Sequence, residues 1–143
     1  MKIKNFMIAS FAEHLFSLNY KHDTYGHRMR NKMIKILEKK NIEFHEEVKE
    51  VRSRYALKDG EGNPIIENDT YMFNTEDQEK VKKEIEDIMN EDAVIEQNET
   101  NKDVLLSIKK SVQNIIPFDL EGEKAQWYDF LCDIVEQIKY EET

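Results

Sequence analysis

Cysteine, proline and glycine are scarce in this sequence. Its 143 residues include one Cys, two Pro and four Gly. With a single cysteine the sequence offers no internal disulfide, which fits a reducing cytoplasm. So little glycine and proline argues against disorder and against an all-β fold with many tight turns. We therefore expect one ordered domain over residues 1–143.

Long apolar runs are also missing. The N-terminal stretch MKIKNFMIASF is interrupted by Asn5 and Ser10 and is followed by Glu13 and His14. It is too short and too polar for a signal peptide or a membrane-spanning helix. The sequence thus predicts a cytoplasmic protein that does not enter a membrane.

Motifs that carry chemistry are not found either. There is no HExxH, CxxC or Gly-rich phosphate loop, and the four His do not lie at metal-ligand spacing. Residues 59–63 (DGEGN) superficially resemble a calcium loop, but Pro64 stands where Gly is required and Thr70 where the bidentate Glu is required. A plain turn explains them better. Cys132 lies in an apolar helical run and fits a core residue. We therefore predict no enzyme, no metal site and no cofactor.

What the sequence does contain is helical periodicity, which predicts a mainly α (α+β) fold with about five helices. The predicted helices cover about 3–18, 24–57, a segment from Thr75 (a capping box with Gln78), a segment capped by Thr100 or Asn101 and ended by Pro117, and about 121–140. The turn cluster 58–64 and the short β-prone runs 65–67 and 71–73 predict a β-hairpin. Residues 93–96 fit a strand pairing with it, which gives a hairpin or three-stranded sheet near 57–97.

The helix over about 24–57 is unusually long for a domain of this size. At 1.5 Å per residue it would span roughly 50 Å, whereas the expected radius of gyration is only about 14–15 Å. It must project, bend or lie along a partner. Apolar residues recur along it with spacings of three and four, as in a coiled coil, with Asn41 at one core position. This seam is either a partner interface or the face that packs on the chain's own domain; it consists of Ile34, Leu37, Asn41, Phe44, Val48, Val51 and Tyr55.

Charge is divided unevenly along the chain, whose net charge is -9. Residues 21–40 carry seven Lys/Arg against two Asp/Glu, and residues 59–103 carry four against fifteen. A basic face of the long helix could contact phosphates, or could lie against the chain's own acids or in solvent; it comprises Arg28, Lys32, Lys35 and Lys39. The acidic half opposes nucleic acid and favours basic protein partners, unless it is only a solvated face. The candidate acidic surface comprises Glu76, Asp77, Glu84, Glu86, Asp87, Glu91 and Asp92.

The order of charged, turn-forming and aromatic segments in residues 25–95 resembles that of a known protein family. The residues are His27-Arg28-Met29-Arg30 at the start of a long charged helix, then residues 55–65 (YALKDGEGNPI), then Tyr71-Met72-Phe73 before an acidic helix. They are similar to small proteins of tailed phages and prophages of low-GC Gram-positive bacteria, the family called domain of unknown function sixteen-seventeen. The resemblance implies a phage gene product made in the bacterial cytoplasm. It brings no active-site residues.

Three functions remain open from the sequence. The first is a non-enzymatic phage accessory protein that binds a host or phage protein, in its sharpest form an acidic inhibitor of a nucleic-acid-targeting defence complex. The second is a virion-associated or assembly protein that forms homo-oligomers through the long helix. The third is a weak nucleic-acid binder that uses the basic face, which the net charge of -9 disfavours.

Overall fold

Helices carry most of the chain in the computed structural model, which describes residues 1–17, 24–114 and 122–141. Within these residues the predicted mainly α (α+β) class with five helices, one of them long, is confirmed. The order of elements is β1 (Lys2–Lys4), a 3-10 turn (Asn5–Met7), α1 (Ile8–Ser17), α2 (Thr24–Tyr55), β2 (Ile66–Glu67), β3 (Thr70–Tyr71), α3 (Thr75–Asn90), β4 (Asp92–Val94), α4 (Lys102–Gln113) and α5 (Glu123–Glu136).

The main hydrophobic core brings together α1, the first half of α2, α4 and α5. The apolar positions that gave these helices their periodicity are the ones that point inward, and Phe11, Leu15 and Leu105 are completely buried. The predicted fourth-helix residues Ile115 and Pro117 lie outside the described residues. The core consists of Met1, Ile3, Ile8, Phe11, Leu15, Met29, Met33, Leu37, Ile95, Val104, Leu105, Ile108, Val112, Leu131, Ile134, Val135 and Ile138.

The length of α2 is accommodated by two successive sets of neighbours. The helix has 32 residues, which corresponds to about 48 Å. Its first half packs on α1 and α4, and it also packs along α3. In its second half Phe44, Val48 and Val51 are buried outside the main core. The chain's own helices therefore cover one continuous face of α2.

The long helix ends at Tyr55, two residues before the predicted end. The helix ends there because the backbone of Leu57 hydrogen-bonds with residues of the following hairpin region. Its N–H donates to the carbonyl of Met72 at 2.8 Å, and its carbonyl accepts from the N–H of Ile65 at 2.7 Å. These bonds start the hairpin region and leave no helical partner for Leu57.

The hairpin itself is confirmed. β2 and β3 pair antiparallel, with Ile66 opposite Tyr71. Its two-residue tip, Asn68 and Asp69, has positive φ angles of 51° and 61°. Asn and Asp tolerate this left-handed conformation, which suits the tight turn of a hairpin.

The predicted partner of the 93–96 strand was wrong, and so was the start of the first helix. Residues 2–4 form a strand, β1, and α1 begins only at Ile8. β1 pairs antiparallel with β4, with Ile3 opposite Ala93. Two separate two-stranded sheets replace the three-stranded alternative. The reason is non-local: Ile3 joins the main core from β1 rather than from a helix.

The capping box predicted at the start of α3 was also wrong. The residue at the N-cap is Asn74, so Thr75 is already the first helical residue. The N–H of Asp77 donates to the backbone carbonyl of Asn74 at 2.9 Å, and no side chain caps this end. Glu76 and Asp77 nevertheless lie in the first turn, where negative charge is favourable to the helix dipole.

Candidate protein-binding surface

Most of the predicted acids lie on α3, whose opposite face packs against the rest of the chain through apolar residues. Val81 is buried, and Ile85, Ile88 and Met89 are half-buried, in the spacing of one helical face. The charged residues between them must therefore turn outward. Of the seven predicted acids, four are exposed and form no ion pair with a described residue: Glu76, Glu86, Asp87 and Glu91.

Glu84 does not belong to the accessible acidic surface. Its carboxylate accepts hydrogen bonds from the Tyr55 hydroxyl at 2.7 Å and from Arg54 at 3.0 Å. The pKa of Tyr55 is raised mainly by this hydrogen bond to Glu84 and to a smaller extent by desolvation of the hydroxyl. Glu84 thus ties α3 to the end of α2. Its position three residues after Val81 and four before Ile88, at the edge of the apolar face, is a sequence signal for this structural role.

The remaining two predicted acids are partly engaged. Asp77 is half-buried and lies 3.9 Å from the Lys80 ammonium. Asp92 is exposed, and Lys4 on the neighbouring strand approaches it at 3.4 Å. An exposed ion pair of this kind contributes little to stability, so Asp92 still presents a carboxylate at the surface.

The strongest negative charge lies at the C-terminal end of α3 and beyond it. The first part of the outer face of α3 also carries Lys80, Lys82 and Lys83, whereas residues 84–99 contain seven acids and no Lys or Arg. Six of these acids are exposed. We call them the acidic end: Glu86, Asp87, Glu91, Asp92, Glu96 and Glu99.

The predicted seam on α2 is used within the chain. Leu37, Phe44, Val48 and Val51 are buried, and Ile34, Asn41 and Tyr55 are half-buried. Leu37 belongs to the main core, and Tyr55 contacts α3 through Glu84. Of the two alternatives for the seam, this arrangement corresponds to packing on the chain's own domain.

The predicted basic face of α2 points away from that seam. Arg28, Lys32, Lys35 and Lys39 are all exposed. None of them forms an ion pair with another residue in the described part of the chain. The face therefore lies in solvent and does not dock against the described acids.

A second basic surface was missed in the sequence. A groove of about 790 Å³ runs between α4 and the segment after α5, and Lys102, Lys109, Lys110 and Lys139 line it. The Lys109 ammonium donates to the carbonyl of Ile138 at 2.7 Å, so part of this charge holds the groove together. The four lysines are spread over 38 positions in sequence, and only the packing of the C-terminal segment on α4 brings them together.

No family model, no curated protein and no solved structure matches this chain.

Residues considered for chemistry have structural partners. Cys132 is half-buried, and burial raises the pKa of its thiol despite a hydrogen bond with Tyr128. The Asp59 carboxylate accepts hydrogen bonds from the backbone N–H groups of Glu61 at 2.9 Å and Asn63 at 3.0 Å, and these bonds stabilise the turn. Among the residues with described positions, no group of three or more His, Cys, Asp or Glu is placed to hold a metal ion. The described helices also include none long and apolar enough to cross a membrane.

Proposed function

We propose that this protein is a non-enzymatic accessory protein, encoded by a phage and acting in the bacterial cytoplasm, that binds a basic protein partner through the acidic end. The observation that carries the proposal is the run of seven acids without a base in residues 84–99, six of them exposed. In its most specific form, the partner is a nucleic-acid-targeting host defence complex whose phosphate-binding surface the acidic end occupies.

The physical reason is charge complementarity. Proteins that bind nucleic acid do so largely with Lys and Arg placed for phosphates. A rigid surface of carboxylates offers the same charges to those side chains, and complementary potentials accelerate encounter and select the partner. Because α3 is held by its apolar face and by the Glu84 tether, the carboxylates that follow are presented on an ordered support.

Charge reversal of the acidic end tests this function. The variant Glu86→Lys, Asp87→Lys, Glu91→Lys changes the net charge from -9 to -3 while leaving the Glu84 tether intact. A matched control reverses three exposed acids of α5 by the substitutions Asp129→Lys, Asp133→Lys and Glu136→Lys, with the same change in net charge.

The assay is affinity capture from a lysate of the bacterial host at rising salt. We expect a partner that is retained by the wild type and the α5 control, lost with the acidic-end variant, and released as salt increases. Equal retention by the acidic-end variant, or the absence of any stoichiometric partner, contradicts the proposal.

An assembly or virion-associated role is the second candidate. Its supporting observation is an exposed apolar residue on the outer side of the long helix: Ile42 is 58% exposed. In this role α2 forms the contact between copies. Light scattering at micromolar concentration distinguishes the two functions, because the assembly role requires an oligomer that Ile42→Glu weakens. A strict monomer contradicts it.

Nucleic-acid binding by the basic face of α2 is the third candidate, supported by the exposure of Arg28, Lys32, Lys35 and Lys39. Affinity for duplex DNA measured at low salt should fall steeply as salt rises. No affinity at low salt removes this function.

A further inference from the structure

With the described residues, β4 makes backbone hydrogen bonds on one side only. Alternate residues of an antiparallel strand point their N–H and C=O groups toward opposite edges. In β4 and its extensions, residues 91, 93 and 95 face β1. At one end of this pairing the Ile95 N–H donates to the Met1 carbonyl at 2.8 Å and the Met1 amine donates to the Ile95 carbonyl at 2.9 Å. At the other end the Asn5 N–H donates to the Glu91 carbonyl at 2.9 Å. The backbone groups of Asp92 and Val94 therefore point to the outer edge.

The two outer edges of this sheet differ in whether their outward backbone groups have hydrogen-bond partners. On β1, the side-chain amide of Gln137 accepts from the N–H of Lys2 at 2.9 Å and donates to its carbonyl at 3.1 Å. This amide replaces a neighbouring strand. On β4, no described residue hydrogen-bonds to the N–H of Asp92 or Val94. Within the described part of the chain, the sheet therefore has one covered edge, on β1, and one free edge, on β4.

Side chains at the free edge indicate what it accepts. Val94 is 44% exposed, which provides an apolar contact in an otherwise charged region. Glu91, Asp92 and Glu96 are exposed on and beside the strand. Lys2 lies on β1, and an added strand about 4.8 Å outside β4 would be about twice as far from it. The Lys4 ammonium, in contrast, reaches across to Asp92 at 3.4 Å. The carboxylates next to an added strand that have no ion pair with a described residue are thus those of Glu91 and Glu96.

We propose that the outer edge of β4 binds an extended basic segment of a protein partner as an additional strand. Backbone hydrogen bonds to Asp92 and Val94 supply the pairing, as in other strand-addition complexes. Lysines or arginines of the segment meet the acidic end, and an apolar residue meets Val94. This inference rests on the proposed function and adds to it the conformation of the partner.

The test uses the full chain labelled with ¹⁵N and a synthetic peptide, acetyl-Lys-Thr-Val-Thr-Lys-amide, whose Lys and Val side chains share one face in an extended strand, as those of Asp92, Val94 and Glu96 do. Two further peptides carry N-methyl groups either on the amides of peptide residues 1, 3 and 5 or on the amides of the two Thr residues. N-methylation removes hydrogen-bond donors from one edge of the extended peptide and leaves its charge unchanged.

We expect the parent peptide to shift the amide resonances of Asp92 and Val94 and to slow their hydrogen exchange. One methylated peptide should retain affinity and the other should lose it, because only one edge of the peptide faces β4. Equal binding of both methylated peptides, or shifts confined to other residues, overturns strand addition.

A pair of variants gives an independent check. Val94→Pro removes the outward N–H, and proline is tolerated on edge strands whose N–H faces solvent; Val94→Thr keeps the N–H and the β-branched shape. We expect the Pro variant to bind the parent peptide about fivefold more weakly than the Thr variant, the effect of one backbone hydrogen bond. Equal affinities contradict the proposal.

Different results would contradict the proposed binding function and strand addition at β4. If charge reversal of the acidic end abolishes capture of the partner but Val94→Pro and the methylated peptides have no effect, the binding function stands and strand addition is wrong. If charge reversal leaves capture unchanged, the proposed function itself is wrong.

Discussion

Gln137 is a side chain whose loss should weaken the whole fold although it is exposed. It is the C-cap residue of α5, and its amide makes both hydrogen bonds to the backbone of Lys2. Its own backbone carbonyl accepts from the side chain of Gln97 at 2.8 Å. Gln137 therefore joins the C-terminal helix to the N-terminal strand across 135 positions of sequence. Substitution by Ala removes the two amide bonds and leaves the outer edge of β1 open.

The size of the effect follows from those two bonds. A hydrogen bond within a protein contributes about 0.5–1.5 kcal/mol net. Because the amide is exposed and water replaces part of each bond, we take the lower half of the range for the two together, about 1–2 kcal/mol. At about 2.1 cal/mol/K of unfolding entropy per residue, this corresponds to a Tm lower by about 3–7 °C for a chain of 143 residues.

Thermal and denaturant unfolding measure this difference, with Gln126→Ala as the control. Gln126 is an exposed glutamine on the same helix whose side chain has no hydrogen bond to a described residue, and its substitution should change stability by less than about 0.5 kcal/mol. A second variant, Gln137→Lys, places a positive charge at a helix C-terminus, which alone is stabilising. We expect it to be destabilising because the paired amide is lost. If Gln137→Ala is as stable as the control, or if Gln137→Lys stabilises the protein, the two hydrogen bonds between Gln137 and Lys2 do not stabilise the fold.

Three further perturbations test other parts of the structure. Leu105→Ala removes a completely buried side chain and should cost about 2–5 kcal/mol in denaturant unfolding, whereas Leu106→Ala, 39% exposed, should cost well under half of that; equal costs contradict the core assignment. Glu84→Ala removes the hydrogen-bond acceptor that is the main cause of the raised pKa of Tyr55, so the phenol should ionise at lower pH in a 295 nm titration, with Tyr55→Phe identifying its signal. Since a raised phenol pKa stabilises the fold below pH 10 and is lost above it, the variant should also lose less stability in alkali. Cys132 should react slowly with a thiol reagent at pH 8 in the native protein and rapidly in denaturant, because burial raises its pKa; fast native reaction contradicts this.

The helices could be predicted from the sequence because their signal is local. Val104, Leu105, Ile108 and Val112 repeat at helical spacing and are buried on one face of α4. β1 could not be predicted, since Ile3 fits the same helical spacing as the residues after it. Residues 2–4 form a strand rather than a helix because they pair with β4, where Ile3 lies opposite Ala93, ninety positions away in sequence.

The candidate surface was predictable in its charge and only partly in its members. A run of acids without bases is visible in any sequence, and it correctly placed Glu86, Asp87 and Glu91 at the surface. The role of Glu84 depends on where Tyr55 ends the long helix, so the charge pattern alone misassigned it. The free edge of β4 was hidden for a similar reason, because it depends on which strand covers the other side.

The acids beside β4 have opposite effects on the two kinds of strand that can meet this edge. If two copies of the chain paired through β4, the carboxylates of Asp92 and its neighbours would face those of the other copy, and like charges on neighbouring strands destabilise such a pair. A basic segment meets the same carboxylates with opposite charge. An exposed apolar residue such as Val94 is therefore tolerated on an open edge, where it would otherwise favour aggregation. On the opposite side of the sheet, where Lys2 and Lys4 lie, the chain covers the edge with Gln137. The difference between the two edges is what directs a partner to β4.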